Sequence, residues 1–264
     1  MSRIDAAMNG RRKALVAYLC MGDPTLEESV DLAVACAEAG ADVLELGVPF
    51  SDPTADGPAI ARASERALRV GGGLTASIEA ARAIRARSPV PLLLFGYYNP
   101  IFVRGEERTV REAHDAGIDG LLVVDLPVEE AHTLRALCKE RAMALVPLLA
   151  PTSSPLRVAL AREAIAGAAP GFVYYVSVAG ITGSADAPLA EASARAGELR
   201  KTLGAPVVIG FGIDSPEKAR LAATHADGVV VGSAIVRRIA DAKDSVSRKR
   251  DVIDLIRALR AALD

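Results

Sequence analysis

The most constraining feature of this 264-residue chain is a rhythm: short, continuously apolar runs alternate with longer stretches rich in Ala, Leu, Arg and Glu. The runs cover 14–21, 43–47, 91–97, 120–124, 144–149, 172–177, 206–210 and 228–231. None has the polar alternation of a half-exposed strand, so each reads as a strand buried on both faces. Helical patterns fill the gaps at 25–39, 74–86, 107–116, 128–141, 155–165, 188–203, 216–224 and 246–263. The first carries Glu27 and Glu28 near its start and Gly40 just past its end, the expected polarity of helix caps.

Repeated strand–helix units imply a parallel sheet with helical crossovers. Eight of them can close into a barrel or open into a doubly wound sheet. The chain has no Pro/Gly/Ser linker, and its length is close to the roughly 250 residues of an α/β barrel. It also has extra helical patterns over 59–70, after the second strand, and from Ser233, after the eighth. These features favour a TIM (β/α)₈ barrel with an additional N-terminal helix, as one domain over 1–264. A hydrophobic content of 51 % supplies the core.

Several classes of function are disfavoured. A net charge of −2 comes with no basic patch for nucleic acid. No apolar run approaches the roughly 18 residues that cross a bilayer, and the start lacks a secretory pattern, so a cytoplasmic protein is expected. Cys20, Cys36 and Cys138 lie far apart in apolar segments, as buried reduced thiols do.

In such barrels the chemistry sits at the C-terminal ends of the strands. Glu45 shares its side of the second strand with Val43 and Gly47 and should point into the barrel mouth. Apolar surroundings would raise its pKa and suit a group that both gives and takes a proton. The alternative is a structural ion pair with an arginine. Asp56, in the following loop, has two readings of its own. It is a site carboxylate, or it is the cap of a helix that opens Asp-Gly-Pro. Asp52 has the same ambiguity within a Ser-Asp-Pro turn.

Glycine turns follow the last three strands: Gly180 to Gly183, Gly210-Phe211-Gly212 and Gly232-Ser233. Glycine lets backbone N–H groups approach an anion, and a helix opening at Ser233 would offer its free N–H groups to a phosphate. Residues 179–189 form a small, polar, glycine-bearing segment that reads as a lid or as an ordinary surface loop. Tyr174 and Tyr175 must face opposite sides of their strand, so one can line a pocket.

The lysines fall at strand beginnings, on helices or near the C-terminus, which argues against a Schiff-base aldolase. His114, His132 and His225 lie in helical patterns away from the mouth, which argues against a metal-dependent one. Cofactor-free acid–base chemistry on a phosphorylated small molecule remains.

The run from Leu44 to Pro58, LELGVPFSDPTADGP, closely resembles the signature of the tryptophan synthase alpha chain family. The resemblance continues in MGDP at 21–24, YYNP at 97–100, DLPVE at 125–129, YVSVAGITG at 175–183 and GFGI at 210–213. It implies retro-aldol cleavage of indole-3-glycerol phosphate, with Glu45, Asp56 and Tyr174 as catalytic groups. It assigns the substrate phosphate to Gly183, Gly212, Gly232 and Ser233, the indole pocket to Tyr18, Leu126 and Phe211, and the lid to Thr182. Tyr18 stands where phenylalanine is frequent, and Val178-Ala179 replaces a more polar pair found in some lids.

The resemblance further implies a pyridoxal-phosphate beta chain as partner in an α₂β₂ assembly, docked on Asp52, Pro53, Asn99 and Pro100. This chain itself would hold no cofactor and no metal. The rival readings are a stand-alone indole-releasing lyase, a non-catalytic activator of a beta-type enzyme, and another phosphate-binding barrel such as a sugar-phosphate isomerase. The last leaves the run from Leu44 to Pro58 unexplained.

Overall fold

The computed structural model describes residues 2–10, 12–166, 171–176, 186–210 and 212–264. Its elements follow in the order α1 (Arg3–Met8), β1 (Ala14–Cys20), α2 (Leu26–Glu38), β2 (Val43–Gly47), α3 (Pro58–Arg69), α4 (Leu74–Arg85) and β3 (Leu92–Gly96). Then come α5 (Tyr98–Arg104), α6 (Glu106–Asp115), β4 (Gly120–Val123), α7 (His132–Glu140), β5 (Ala144–Leu145), β6 (Leu148–Leu149) and α8 (Pro155–Ala166). The last third contains β7 (Val173–Val176), α9 (Asp186–Leu203), β8 (Val207–Gly210), α10 (Pro216–Ala222), β9 (Gly228–Val231), α11 (Ser233–Asp241) and α12 (Ser245–Leu263).

All strand pairs are parallel, and the sheet runs β5-β4-β3-β2-β1-β9-β8-β7-β6. Its two ends, β5 and β6, are halves of the single run expected over 144–149, so the sheet closes on itself as a TIM barrel. Val146 and Pro147 interrupt that stave without opening the cylinder. The Val146 N–H donates to the Leu121 carbonyl at 2.9 Å on one side, and the Pro147 carbonyl accepts from the Tyr174 N–H at 2.9 Å on the other. Proline has no N–H to offer a ladder, which explains the break.

The strands are buried on both faces, and two apolar cores result. The inner one fills the barrel with Val16, Tyr18, Val43, Leu93, Leu122, Val146, Phe172, Val208 and Val230, and Ile4 and Met8 of α1 join it. The outer one packs strands against helices through residues such as Leu44, Leu46, Leu121, Tyr175 and Ile209. The two-residue strand period divides neighbours between them, so Tyr174 faces inward and Tyr175 outward. All three cysteines are buried and unbridged.

The structure corrects three local expectations. The helix expected over 128–141 begins at His132, because turn bonds from Glu130 N–H to Pro127 and from Ala131 N–H to Val128 occupy the preceding residues. Tyr98–Arg104 is helical although no helix was expected there. Pro100 stands in its first turn, where an N–H is not needed, and the Asp125 carboxylate accepts the Tyr98 N–H at 2.7 Å. His225 lies in a turn after α10, not in a helix, with its N–H donated to Ser193 Oγ at 3.0 Å.

Candidate active site

Glu45 is level with Tyr18 of β1 and Leu93 of β3, both members of the inner core, so its side chain enters the barrel. It is 0 % exposed, and neither carboxylate oxygen has a hydrogen-bond partner among the described residues. Among the described residues no arginine forms the structural ion pair that the sequence also allows. A buried carboxyl without partners strongly favours its neutral form. Burial, and secondly the charge of Asp56, push its pKa up to about 8.

Asp56 lies in the loop between β2 and α3. It does not cap α3: Gly57 holds that position, and no side chain bonds to the helix end. Its carboxyl, pushed up to about 6 by partial burial and held down by the Tyr97 hydroxyl, remains largely ionised at neutral pH. That hydroxyl also accepts the Ala55 N–H at 3.0 Å, and the Tyr97 ring stacks on Phe50 with centroids 5.0 Å apart. Tyr97 thus ties the end of β3 to the Asp56 loop from both sides.

Two tyrosines complete the group. Tyr18 and Tyr174 are both held well above the ordinary phenol range, first by burial and then by nearby acids that include Glu45 and Asp56. Both phenols therefore stay protonated as neutral donors. Glycines make room for them. A Cβ on Gly47 would lie 2.3 Å from the Tyr18 hydroxyl, and one on Gly210 would lie 2.1 Å from the Tyr174 hydroxyl. Any side chain at either position would have to displace the ring. Phe95 meets Tyr18 edge-on, with centroids 5.5 Å apart and planes at 84°.

Gly212 and Gly232 follow β8 and β9, on the same end of the barrel as Gly47. Gly212 has φ +73°, the left-handed region that glycine tolerates best. Ser233 opens α11, where no side chain of the described residues caps the helix end, which leaves first-turn N–H groups to offer an anion. Leu126 behaves differently from the other expected pocket residues. It packs against the outer core and lines a small cavity of about 30 Å³ that it shares with Val146 and Leu148. Thr182, Gly183 and Phe211 lie outside the described residues, as does the segment read as a lid apart from its last residues.

Thus Glu45, Asp56, Tyr18 and Tyr174 converge at one barrel mouth, with Gly212, Gly232 and Ser233 on the same rim. Phe95 and Tyr97 were not singled out from the sequence, although the two-residue period from Leu93, which stands level with Glu45, carries both inward. Among the described residues no cluster of His, Cys, Asp or Glu could hold a metal ion. One largely neutral acid facing one ionised acid, above a ring of protonated phenols, can protonate a bound ring at one point and stabilise positive charge at another.

The family model described as tryptophan synthase alpha chain matches residues 4–263. The tryptophan synthase alpha chain of Xanthomonas campestris pv. campestris is 47 % identical over 262 residues, covering 98 % of this chain and 95 % of the relative. That of Geobacter sulfurreducens is 44 % identical over 267 residues, covering 100 % and 99 %. The crystal structure of tryptophan synthase subunit alpha from Legionella pneumophila superposes with a TM-score of 0.88 at 35 % identity, covering 99 % of this chain and 98 % of that one. A chain of tryptophan synthase from M. tuberculosis, in an aminoacrylate-bound form, superposes with a TM-score of 0.84 at 31 % identity over 100 % of both chains. With sequence and fold agreeing over its whole described length, the chain belongs to the tryptophan synthase alpha chain family.

Proposed function

We propose that this chain cleaves indole-3-glycerol phosphate into indole and D-glyceraldehyde 3-phosphate, using Glu45 as acid and base and Asp56 as the counter-charge. Neutral Glu45 gives its proton to C3 of the indole ring, which leaves the ring nitrogen positive. Asp56, ionised, accepts the indole N–H and stabilises that charge. The Glu45 carboxylate then takes the proton of the glycerol hydroxyl next to the ring. Its electron pair forms the aldehyde C=O as the C–C bond breaks, and the bond's electrons return to the ring and release indole. Tyr174 holds its neutral hydroxyl beside the reacting side chain.

The N–H groups at Gly212, Gly232 and Ser233, together with Gly183, bind the phosphate, and Tyr18 and Phe211 enclose the indole. Thr182 closes the site from the lid. The observation that carries this reading is the burial of Glu45 within the field of Asp56 with no hydrogen-bond partner among the described residues, because a structural carboxylate would have one.

The family implies a beta chain as partner. In our reading the assembly is α₂β₂, and pyridoxal phosphate belongs to the beta chain. Asp52 is exposed on the loop after β2 and Asn99 in the first turn of α5, next to Pro53 and Pro100 respectively. Beside them α5 presents Phe102 and Val103, 65 % and 77 % exposed, an apolar pair suited to a protein contact. A cytoplasmic location fits this role, and among the described residues no helix is long and apolar enough to cross a membrane.

Indole release by the purified chain from indole-3-glycerol phosphate, with and without a beta chain, tests the proposal. Slow release that accelerates with the partner is expected. Fast release that ignores the partner would instead identify a stand-alone lyase. No release under either condition, with beta-chain activity stimulated, would identify a non-catalytic activator.

A further inference from the structure

Helix α3 follows Asp56 by two residues, so its seat over the barrel fixes where that carboxyl stands. The apolar part of this seat is thin. Ile60, Ala63 and Ala67 face the inner core, and two of the three contribute only a methyl group. Among the described residues no side chain caps the helix start, and Ser64 Oγ meets Cys20 Sγ at 3.9 Å. The polar part is stronger. From the last turn of α3, Arg66 donates through Nε and Nη2 to both oxygens of Asp23, each at 2.7 Å. Asp23 is 1 % exposed, whereas Arg66 keeps 34 % of its side chain in contact with solvent.

The loop that presents Asp23 is itself firmly built. The Gly22 N–H donates to the fully buried Ser29 Oγ at 3.0 Å, and a Cβ on Gly22 would lie 3.2 Å from the Ala67 Cβ, so loop and helix touch directly. Asp23, Asp56 and Arg66 all act on the buried Cys20 thiol, which places the ion pair in the neighbourhood of the catalytic acid. A planar, two-pronged guanidinium–carboxylate contact fixes orientation as well as distance, which a lysine in its place would not.

We propose that Arg66, anchored on Asp23, is a positioning residue for Asp56: the pair clamps α3 to the β1–α2 loop and so holds the Asp56 carboxyl at the indole nitrogen. The pair also offsets the charge of Asp23, which would otherwise be a second anion at a mouth that already holds ionised Asp56. This rests on the reaction proposed above. Arg66 itself touches no reacting atom.

The test is a double-mutant cycle read as kcat and KM for indole release, with the beta chain present. Arg66→Met should lower kcat about 10- to 100-fold, the scale of a misplacement of about 1 Å in a catalytic group. KM should stay within about 3-fold, because α11, which supplies the phosphate-side N–H groups, is also packed on β1 and α12. Arg66→Lys should fall between wild type and Arg66→Met. In an Asp56→Asn background, Arg66→Met should change kcat by less than about 2-fold, since its effect runs through Asp56.

Unchanged kcat in Arg66→Met, or a full additive loss in the Asp56→Asn background, overturns the proposal. If circular dichroism shows Arg66→Met unfolded, the same cycle with Arg66→Lys decides by the same criteria. An Asp56→Asn enzyme that retains its turnover would instead sink the underlying reaction. An impaired Asp56→Asn enzyme combined with additivity sinks only the clamp.

Discussion

Glu45→Gln is expected to leave the fold intact and to cut indole release about 10²- to 10⁴-fold, the loss typical of a removed general acid–base group. That corresponds to roughly 3–5 kcal/mol of barrier. The glutamine fills the same space between Tyr18 and Leu93 but cannot cycle a proton. The same variant should tolerate alkaline pH better than wild type. In the folded chain the Glu45 pKa is raised to about 8 from an ordinary 4.5, so between those values the native state holds a proton that the unfolded chain has lost. Stability from this group is complete below the unfolded pKa and declines as pH rises through the folded one. Glutamine removes that decline. Steady-state indole release and urea unfolding at pH 6 and pH 8.5 measure both effects. A variant that keeps most of its turnover would remove Glu45 from the chemistry.

Asp56→Asn is expected to lower kcat by about 10²- to 10³-fold, the scale of losing one preorganised electrostatic stabiliser of developing charge. Substrate affinity should be retained, because the phosphate-side groups stand on other elements. Stability should barely change, since Asp56 caps no helix. The pH profile discriminates further. In wild type, kcat/KM should rise through about 6 as Asp56 ionises and fall through about 8 as Glu45 loses its proton. These apparent values belong to the interacting pair. Without the Asp56 charge the acid limb should vanish, and the alkaline limb should move to lower pH, because Asp56 is one of the two causes that raise Glu45. An Asp56→Asn variant that loses thermal stability but keeps its rate would reduce Asp56 to a structural role.

Much of this architecture is legible in the sequence because strands buried on both faces leave uninterrupted apolar runs. Val43–Gly47 and Gly228–Val231 coincide with their runs to the residue. The break in the fifth stave was present as Pro147, but a proline inside an apolar run is outweighed there by its neighbours. The seven-residue α5 was hidden because Asn99-Pro100 reads as a turn; the contact that favours a helix comes from Asp125, 27 residues away in sequence.

The inward aim of Glu45 followed from strand period alone. Its lack of a partner did not, because that depends on everything else that reaches the barrel interior. The two readings of Asp56 were separable only in three dimensions, where Gly57 takes the cap position. Tyr97 and the Asp23–Arg66 pair stayed hidden for the same reason: their value lies in contacts across 42 and 43 residues of chain.

Cleavage turns on the protonation of one side chain, and the infrared difference spectrum between wild type and Glu45→Gln reads it directly. A carbonyl band of a protonated carboxylic acid should be present at neutral pH, disappear as pH rises through about 8, and titrate at lower pH in the Asp56→Asn background. An ionised Glu45 at neutral pH, or a titration indifferent to Asp56, would contradict the account.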